Sequence, residues 1–429
     1  MSNASDVRGK QGEFLFPCVA NYYQEPVVLA RGEGSRVADV DGREYMDFFG
    51  GILTVSVGHC HPDVTEAVTR QMRTLGHVST MYPTEGQVRV AEKLARLTPG
   101  KLKKSFFTNS GSEADETAVV LAKIFTGKQE IIALRHGYSG RTHLAMGLTA
   151  HKNYRLIPNP IAGIVHAPAP YCYRCPFGLT YPDCGIRCAQ DLEELVQTQT
   201  TGKPAAFLAE PIMGVGGFIT PPPEYFQIAV GIVRKYGGLF ICDEVQTGFG
   251  RTGGKWFGIE HFGVEPDIMT MAKGIANGFP VGATIATEEV ANSWTGATIS
   301  TFGGNPVSMA AVDATIGVME REDAPKNAEV RGREMRERLE HYKETYPWVG
   351  DVRGLGLMQA IEVVEDKKSK TPSPARTAQL MEAAKKHGLL LGKGGLYGNT
   401  IRIAPPLLIS KEEMADGLRR FDKAMAEVK

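Results

Sequence analysis

Three groups of side chains in this sequence could do chemistry, and each sits where an apolar run ends. In GLFICDEVQTGFGRTG the run delivers Asp243 and Glu244 at its carboxyl end. Ligands of open α/β sheets bind beyond the carboxyl ends of the strands, so an acid there could pair with a protonated ring nitrogen. A helix cap or turn acid would look the same in sequence. In EPDIMTMAKGIANGFPVG a second run delivers Lys273, 30 residues further on. A lysine held among apolar residues can have its pKa lowered and condense with a carbonyl, although most lysines are simply solvated. In FFTNSGSEADE a third run leads into Ser110-Gly111-Ser112 and then a helix. Backbone N–H groups, two hydroxyls and a helix N-terminus make a phosphate cradle; plain N-capping by serine is the alternative.

The elements that must position these residues follow from periodicity. After residue 60, helical patterns (HPDVTEAVTRQMRTL, EGQVRVAEKLARL, EADETAVVLAKIFTG) alternate with short apolar runs (KSFFTNS, EIIALRH, AAFLAEP, GLFICDEV, DIMTMAK, VGATIAT). That alternation predicts an α/β fold with a mainly parallel sheet. Before it, Asp41-Gly42 marks a tight hairpin. After it come a charged helix and a tail mixing strands (LMQAIEVV, TIRIAPP) with helices. The expected organisation is an N-terminal segment, 1–59, that contributes to a smaller α+β domain. A large domain follows over 60–315, and 316–429 completes the smaller one.

Composition bounds the partners. The 429 residues carry 48 Lys+Arg against 48 Asp+Glu, a net charge of zero. That argues against wholesale binding to nucleic acid or an anionic membrane. No apolar stretch approaches the roughly 20 residues needed to span a bilayer, and MSNASDVRGKQGEFLF lacks the apolar core of a secretory signal. Seven cysteines in a chain this large fit a reduced, cytoplasmic setting. The 49 glycines suit many tight turns and close backbone approaches to ligands.

Taken together, the three groups ask for one ligand with a phosphate, a protonatable ring nitrogen and an aldehyde. Pyridoxal 5′-phosphate has all three. The sequence also resembles the class III pyridoxal-phosphate aminotransferases, of the fold-type I group, which include 4-aminobutyrate, acetylornithine and alanine–glyoxylate aminotransferases. The resemblance runs from VADVDGREYMDFFGGILTVSVGHCHP through FTNSGSEADE, EPIMGVGGFITPPPEYF, LFICDEVQTGFGRTG, DIMTMAKGIANGFPVGA, TFGGNPVSMAA and DVRGLGLMQAIE to IRIAPPL. It implies a large domain with a seven-stranded, mainly parallel sheet.

The resemblance also implies roles. Lys273 would hold the cofactor as a Schiff base and then move a proton. Asp243 would pair with the ring nitrogen, Val245 would pack on the ring, and Gln246 would bond its phenolic oxygen. Gly111 and Ser112, with Ser110 close by, would hold the phosphate. Tyr138 would stack on the other ring face, although Ser139 stands where the family commonly has histidine. Thr301 would reach the cofactor of a neighbouring subunit, making a homodimer the minimal unit. Arg402, whose planar fork suits a carboxylate, would bind the keto acid. Glu210 would pair with Arg402 when the donor lacks an α-carboxylate, unless the two form a permanent salt bridge. Arg141 would bind a distal carboxylate, and Ile52 lies in a segment that closes over the substrate. The implied activity is amino transfer from an ω-amino acid, or from alanine, to pyruvate, glyoxylate or 2-oxoglutarate by a ping-pong cycle. Aminomutase, decarboxylase and phospholyase chemistry share the scaffold.

Cys172, Cys175, Cys184 and Cys188 stand apart, in the pattern C-x2-C-x8-C-x3-C. Four thiolates so spaced could hold a structural zinc ion or an iron–sulfur cluster. Disulfides or reduced thiols remain open.

Overall fold

The computed structural model describes residues 3–19, 21–158 and 161–428. Its centre is one seven-stranded sheet: β1 (Leu102–Thr108), β2 (Ile131–Leu134), β3 (Ile164–Ala167), β4 (Ala206–Ala209), β5 (Leu239–Asp243), β6 (Ile268–Met271) and β7 (Gly282–Thr287). The spatial order is β1-β7-β6-β5-β4-β2-β3. β7 runs antiparallel to both its neighbours, and the remaining pairings are parallel. Six strands fall on the apolar runs read from the sequence. The seventh, β3, lies in IPNPIAGIVHAPAP, to which periodicity assigns no strand. Four residues that include His166 carry little signal, and pairing with β2 makes them a strand.

Helix α1 (Gly111–Thr126) starts at the Ser110 cap, whose hydroxyl accepts the Glu113 N–H, and stops at Gly127 with φ +67°. Its buried stripe (Ala118, Val119, Ala122) packs on Ile131, Ala206, Ile241 and Ile268 of the sheet. Small residues on that stripe let the helix axis come close to the strands.

Two four-stranded sheets lie outside the central one. In the first, Arg36–Asp39 and Glu44–Asp47 form the hairpin marked by Asp41-Gly42, with Gly42 at φ +84°. Leu389–Leu390 from the far end of the chain adds to it in parallel. In the second, Val349–Leu355, Met358–Val363, Thr400–Ile403 and Gly392–Gly394 pair antiparallel. Among the described residues no helix is long and apolar enough to cross a membrane.

The sequence leaves metal, disulfides and reduced thiols all open at the four cysteines. All seven cysteines carry free thiols, and among the described residues no group of three or more His, Cys, Asp or Glu side chains is arranged to hold a metal ion. The four thiols do line one small cavity. However, Cys172 sits on an exposed single turn while Cys188 lies inside the helix Arg187–Gln199, beyond left-handed Ile186. Burial, reinforced by the neighbouring thiols, pushes Cys172 up to about 11 and Cys188 up to about 12. Burial thus disfavours the thiolates at Cys172 and Cys188 that a metal would have to draw out.

An ion cluster staples this excursion instead. Glu362 is fully buried and accepts from Arg353 Nη1 at 2.7 Å, from Arg174 Nε at 2.5 Å and from the Tyr171 hydroxyl. Arg174 also donates to the Lys370 carbonyl at 2.7 Å, and Lys370 Nζ returns a bond to the Tyr173 carbonyl at 3.0 Å. Glu362→Ala leaves buried Arg353 with Asp351 as its one acidic partner and strips Arg174 of its own. Stripping one partner from a buried pair costs about 3–5 kcal/mol. We expect that loss in urea unfolding of the variant, with the four Cys→Ser variants costing less.

Candidate active site

The carboxyl edge of the central sheet gathers the chemistry. β1 leads to Ser110-Gly111-Ser112, β2 to Tyr138 and Arg141, β4 to Glu210, β5 ends on Asp243, and β6 leads to Lys273. They surround a cavity of about 150 Å³ lined by Gly111, Ser112, Tyr138, Arg141, Glu210, Asp243, Val245, Gln246 and Lys273. Asp115, Ser139 and Gly140 complete the lining. Sequence reading missed Asp115 as a site residue, although it lies within the SGSEADE motif; four positions into α1 it returns to the sheet face.

The adjacent acids Asp243 and Glu244 part company. Asp243 faces the cavity and accepts the Val245 N–H at 3.0 Å. Glu244 turns away and takes the N–H groups of Gly258 (3.0 Å) and Ile259 (2.8 Å), pinning the loop that follows. Burial pushes the Glu244 carboxyl up to about 7. Lys273 sits at φ +47°, a left-handed conformation rare outside glycine, at the start of a short 3₁₀ turn. Such local strain concentrates at functional sites. Burial lowers the Lys273 ammonium pKa, and the carboxylates of Asp243 and Glu210 oppose that fall.

Glu210 is buried and accepts the N–H groups of Tyr138 (3.1 Å) and Gly214 (2.7 Å). Burial, with Asp243 nearby, raises its pKa to about 8. Arg402 is also buried, on the strand Thr400–Ile403. It donates to the carbonyls of Lys393 (2.9 Å) and Gly214 (3.3 Å) and to the Tyr22 hydroxyl (3.3 Å). Its guanidinium lies 4.8 Å from the Phe49 ring centre and 5.6 Å from that of Phe218. No permanent Glu210–Arg402 salt bridge forms. Both residues bond to Gly214, one to its N–H and the other to its carbonyl. Tyr22, Phe49 and Phe218 escaped the sequence reading because nothing local marks them as the cage of a residue so far along the chain.

Four expected site residues do not line the cavity. Ser110 caps α1, its hydroxyl accepting the Glu113 N–H. Arg402 stands behind it. Ile52 is exposed, at φ +65°, a true outlier for a β-branched residue. Thr301 is exposed beside Phe302 and Ile299.

The residues present fit pyridoxal phosphate. A Cβ on Gly111 would come within 3.2 Å of both Val245 methyls, and one on Gly140, at φ +131°, would strike the Ser112 hydroxyl. Glycine therefore keeps the mouth of the α1 N-terminus open for an anion. Gln246 Oε1 is buried with no hydrogen-bond partner among the described residues, an unspent polar group on the cavity wall. Tyr138 supplies an aromatic face and Val245 an aliphatic one.

A sheet edge presenting a strained lysine, a buried acid and an anion-ready helix defines a fold-type I, pyridoxal-phosphate-dependent enzyme. The chain belongs to the class III aminotransferases, whose family model, Aminotransferase class-III, matches residues 18–425. It is 43% identical to an alanine–glyoxylate aminotransferase 2 homolog of Arabidopsis thaliana over 99% of this chain and 88% of that protein. It is 37% identical to a probable 4-aminobutyrate aminotransferase of Bacillus subtilis, over 95% of this chain and 94% of that one. A thermostable (S)-enantioselective omega-transaminase from Thermomicrobium roseum superposes with a TM-score of 0.92 at 34% identity, covering 100% of this chain and 99% of that one.

Proposed function

We propose that this aminotransferase moves an amino group from an ω-amino acid of the 4-aminobutyrate or β-alanine type, or from alanine, to pyruvate, glyoxylate or 2-oxoglutarate. The turnover is ping-pong. The observation that carries this reading is the placement of two arginines around one lysine. Arg141 lines the cavity that Lys273 faces, and the Arg402 charge reaches that lysine from behind the wall. Two cationic forks suit a substrate with two anionic ends, or two substrates taken in turn. The names of the relatives agree with both donor types.

Each residue then has a task. Gly111, Ser112 and the first N–H groups of α1 would hold the phosphate. Val245 and Tyr138 would pack on the ring, and Gln246 would bond its edge. When bound, the cofactor would supply an electron sink for charge developing at the substrate carbon. Asp243 would keep the ring nitrogen protonated. Lys273, its ammonium acidified by burial, takes the proton from the substrate carbon and returns it. Glu210, held by two backbone N–H groups, leaves Arg402 free to meet a carboxylate. Thr301, among exposed Ile299, Phe302, Met81 and Tyr82, suits a face covered by a second copy, and a homodimer is the working unit.

The test is a panel of amine donors against the three keto acids, with products identified by mass spectrometry. Transfer from at least one ω-amino acid or from alanine is expected. Turnover of every donor without amino-group transfer would replace this reading with another chemistry on the scaffold. Arg402→Lys keeps the charge but loses the fork. Losing one charge-assisted hydrogen bond, about 1.5–3 kcal/mol, raises KM for the keto acid roughly tenfold or more. Steady-state kinetics at saturating donor checks this, with kcat nearly unchanged.

A further inference from the structure

Asp115 sits one helical turn into α1 and is 1% exposed. It reaches the cavity wall beside Asp243. The Thr270 hydroxyl, fully buried on β6, donates to Asp115 Oδ1 at 2.7 Å. Thr270 is also the cross-strand partner of Asp243. Asp115 and Asp243 are both buried on the wall of the same small cavity, and Thr270 joins them, by its hydroxyl to one and by strand pairing to the other. Two carboxylates cannot hydrogen-bond each other, because neither has a donor. In a dry site two adjacent carboxyls share a single negative charge, and the protonated one can donate to the other. The surroundings say which. Asp243 already accepts the Val245 N–H and faces the Lys273 ammonium, and both favour its ionised form. Asp115 has only the neutral Thr270 hydroxyl, and burial followed by the Asp243 charge drives its pKa well above the usual carboxylate range. Glu210, Lys273, Glu244 and the Cys242 thiol are the other titratable groups near the pair.

We propose that Asp115 is a positioning residue: a neutral carboxylic acid, locked by Thr270, that donates its proton in a hydrogen bond to Asp243 and fixes the orientation and single negative charge with which Asp243 meets the ring nitrogen. The last step rests on the proposed cofactor-binding role of Asp243. The neutral state of Asp115 does not. Thr270 fills one oxygen of Asp115, so the other is the one turned to Asp243. The arrangement needs a donor at position 115, not an acid. Asparagine offers one amide N–H to Asp243 and a carbonyl to Thr270, and so meets the requirement. Alanine removes both contacts.

Two measurements test the two halves separately. Infrared difference spectra of the cofactor-free protein at neutral pH, in H2O and in D2O, should show a protonated-carboxyl band that is absent from Asp115→Asn. Glu210→Gln and Glu244→Gln serve to subtract two further buried acids whose pKa values are raised. An unchanged band in Asp115→Asn means Asp115 is ionised and overturns the proposal, whatever the enzyme catalyses. In the holoenzyme, Asp115→Asn should keep the dissociation constant for pyridoxal phosphate and the pH midpoint of its absorbance within about threefold. Asp115→Ala should weaken cofactor binding roughly tenfold or more, the scale of one lost bond to a charged group. It should move the absorbance midpoint and lower kcat with little change in KM. Thr270→Val, which keeps the shape and frees Asp115 to rotate, should fall between them and guards against an alanine variant that fails to fold. Asparagine behaving like alanine would show that the negative charge matters, and would overturn the proposal. If no variant or wild type takes up pyridoxal phosphate, the proposed function fails while the infrared result still stands.

Discussion

Lys273→Ala loses amino transfer by at least about 10³-fold in kcat. A positioned general acid–base contributes roughly 10²–10⁴, and covalent attachment of the carbonyl is lost as well. Single-turnover kinetics with a donor from the active panel measures the loss. Two further readouts separate this from simple misfolding. Borohydride treatment of the wild type should add the cofactor mass to the peptide bearing Lys273, and should leave the variant unlabelled. Small primary amines should restore part of the rate, because the missing side chain vacates a path to the cavity and the rest of the wall stays in place. The rescue should strengthen as pH rises and the added amine loses its proton. The protein's own lysine reaches its neutral form at lower pH than an ordinary lysine, since burial lowers its pKa. A Lys273→Ala variant within tenfold of wild type would remove Lys273 from the chemistry.

Asp243→Asn should cost roughly 10²–10³ in kcat, the scale set by removing one preorganised electrostatic partner from a desolvated site. The side chain keeps its shape and its contact with the Val245 N–H becomes ambivalent, but the fixed negative charge is gone. The ring nitrogen then loses the partner that holds its proton. Asp243→Glu should recover less than the full rate, because the longer carboxylate leaves the register set by Thr270 and Val245. The check is kcat together with the cofactor absorbance spectrum against pH, whose midpoint should shift in Asp243→Asn. An unaltered spectrum with a wild-type rate would mean that Asp243 does not meet the ring.

Both predictions concern residues legible in the sequence, for a local reason. A parallel strand exposes its carboxyl end at one edge of the sheet, so an apolar run followed by Asp, Lys or Ser-Gly-Ser announces both the strand and its cargo. The runs ending at Thr108, Asp243 and Met271 did this, whereas Tyr138 and Glu210, beyond the runs ending at Leu134 and Ala209, were marked only by the family resemblance. The short β3 strand did not, because its four residues lack a pattern of their own. The cysteine spacing left its chemistry open for a related reason. Spacing gives separation along the chain but not the direction in which each thiol points, and a helix starting at Arg187 carries Cys188 with it.

The sequence by itself determined the family and the α/β architecture, and it named Lys273, Asp243 and the Ser110-Gly111-Ser112 turn as candidates, since each is written within a few residues of its own strand. Only the tertiary structure decided what depends on distant segments meeting. It turned Glu244 away from Asp243 to anchor residues 258 and 259. It caged Arg402 with Tyr22, Phe49 and Phe218 and kept it apart from Glu210. It set Asp115 and Asp243 on one cavity wall, joined through Thr270. Those choices govern charge state. A carboxyl's proton is decided by desolvation and by the neighbours within a few ångströms, and neither exists until the chain has folded.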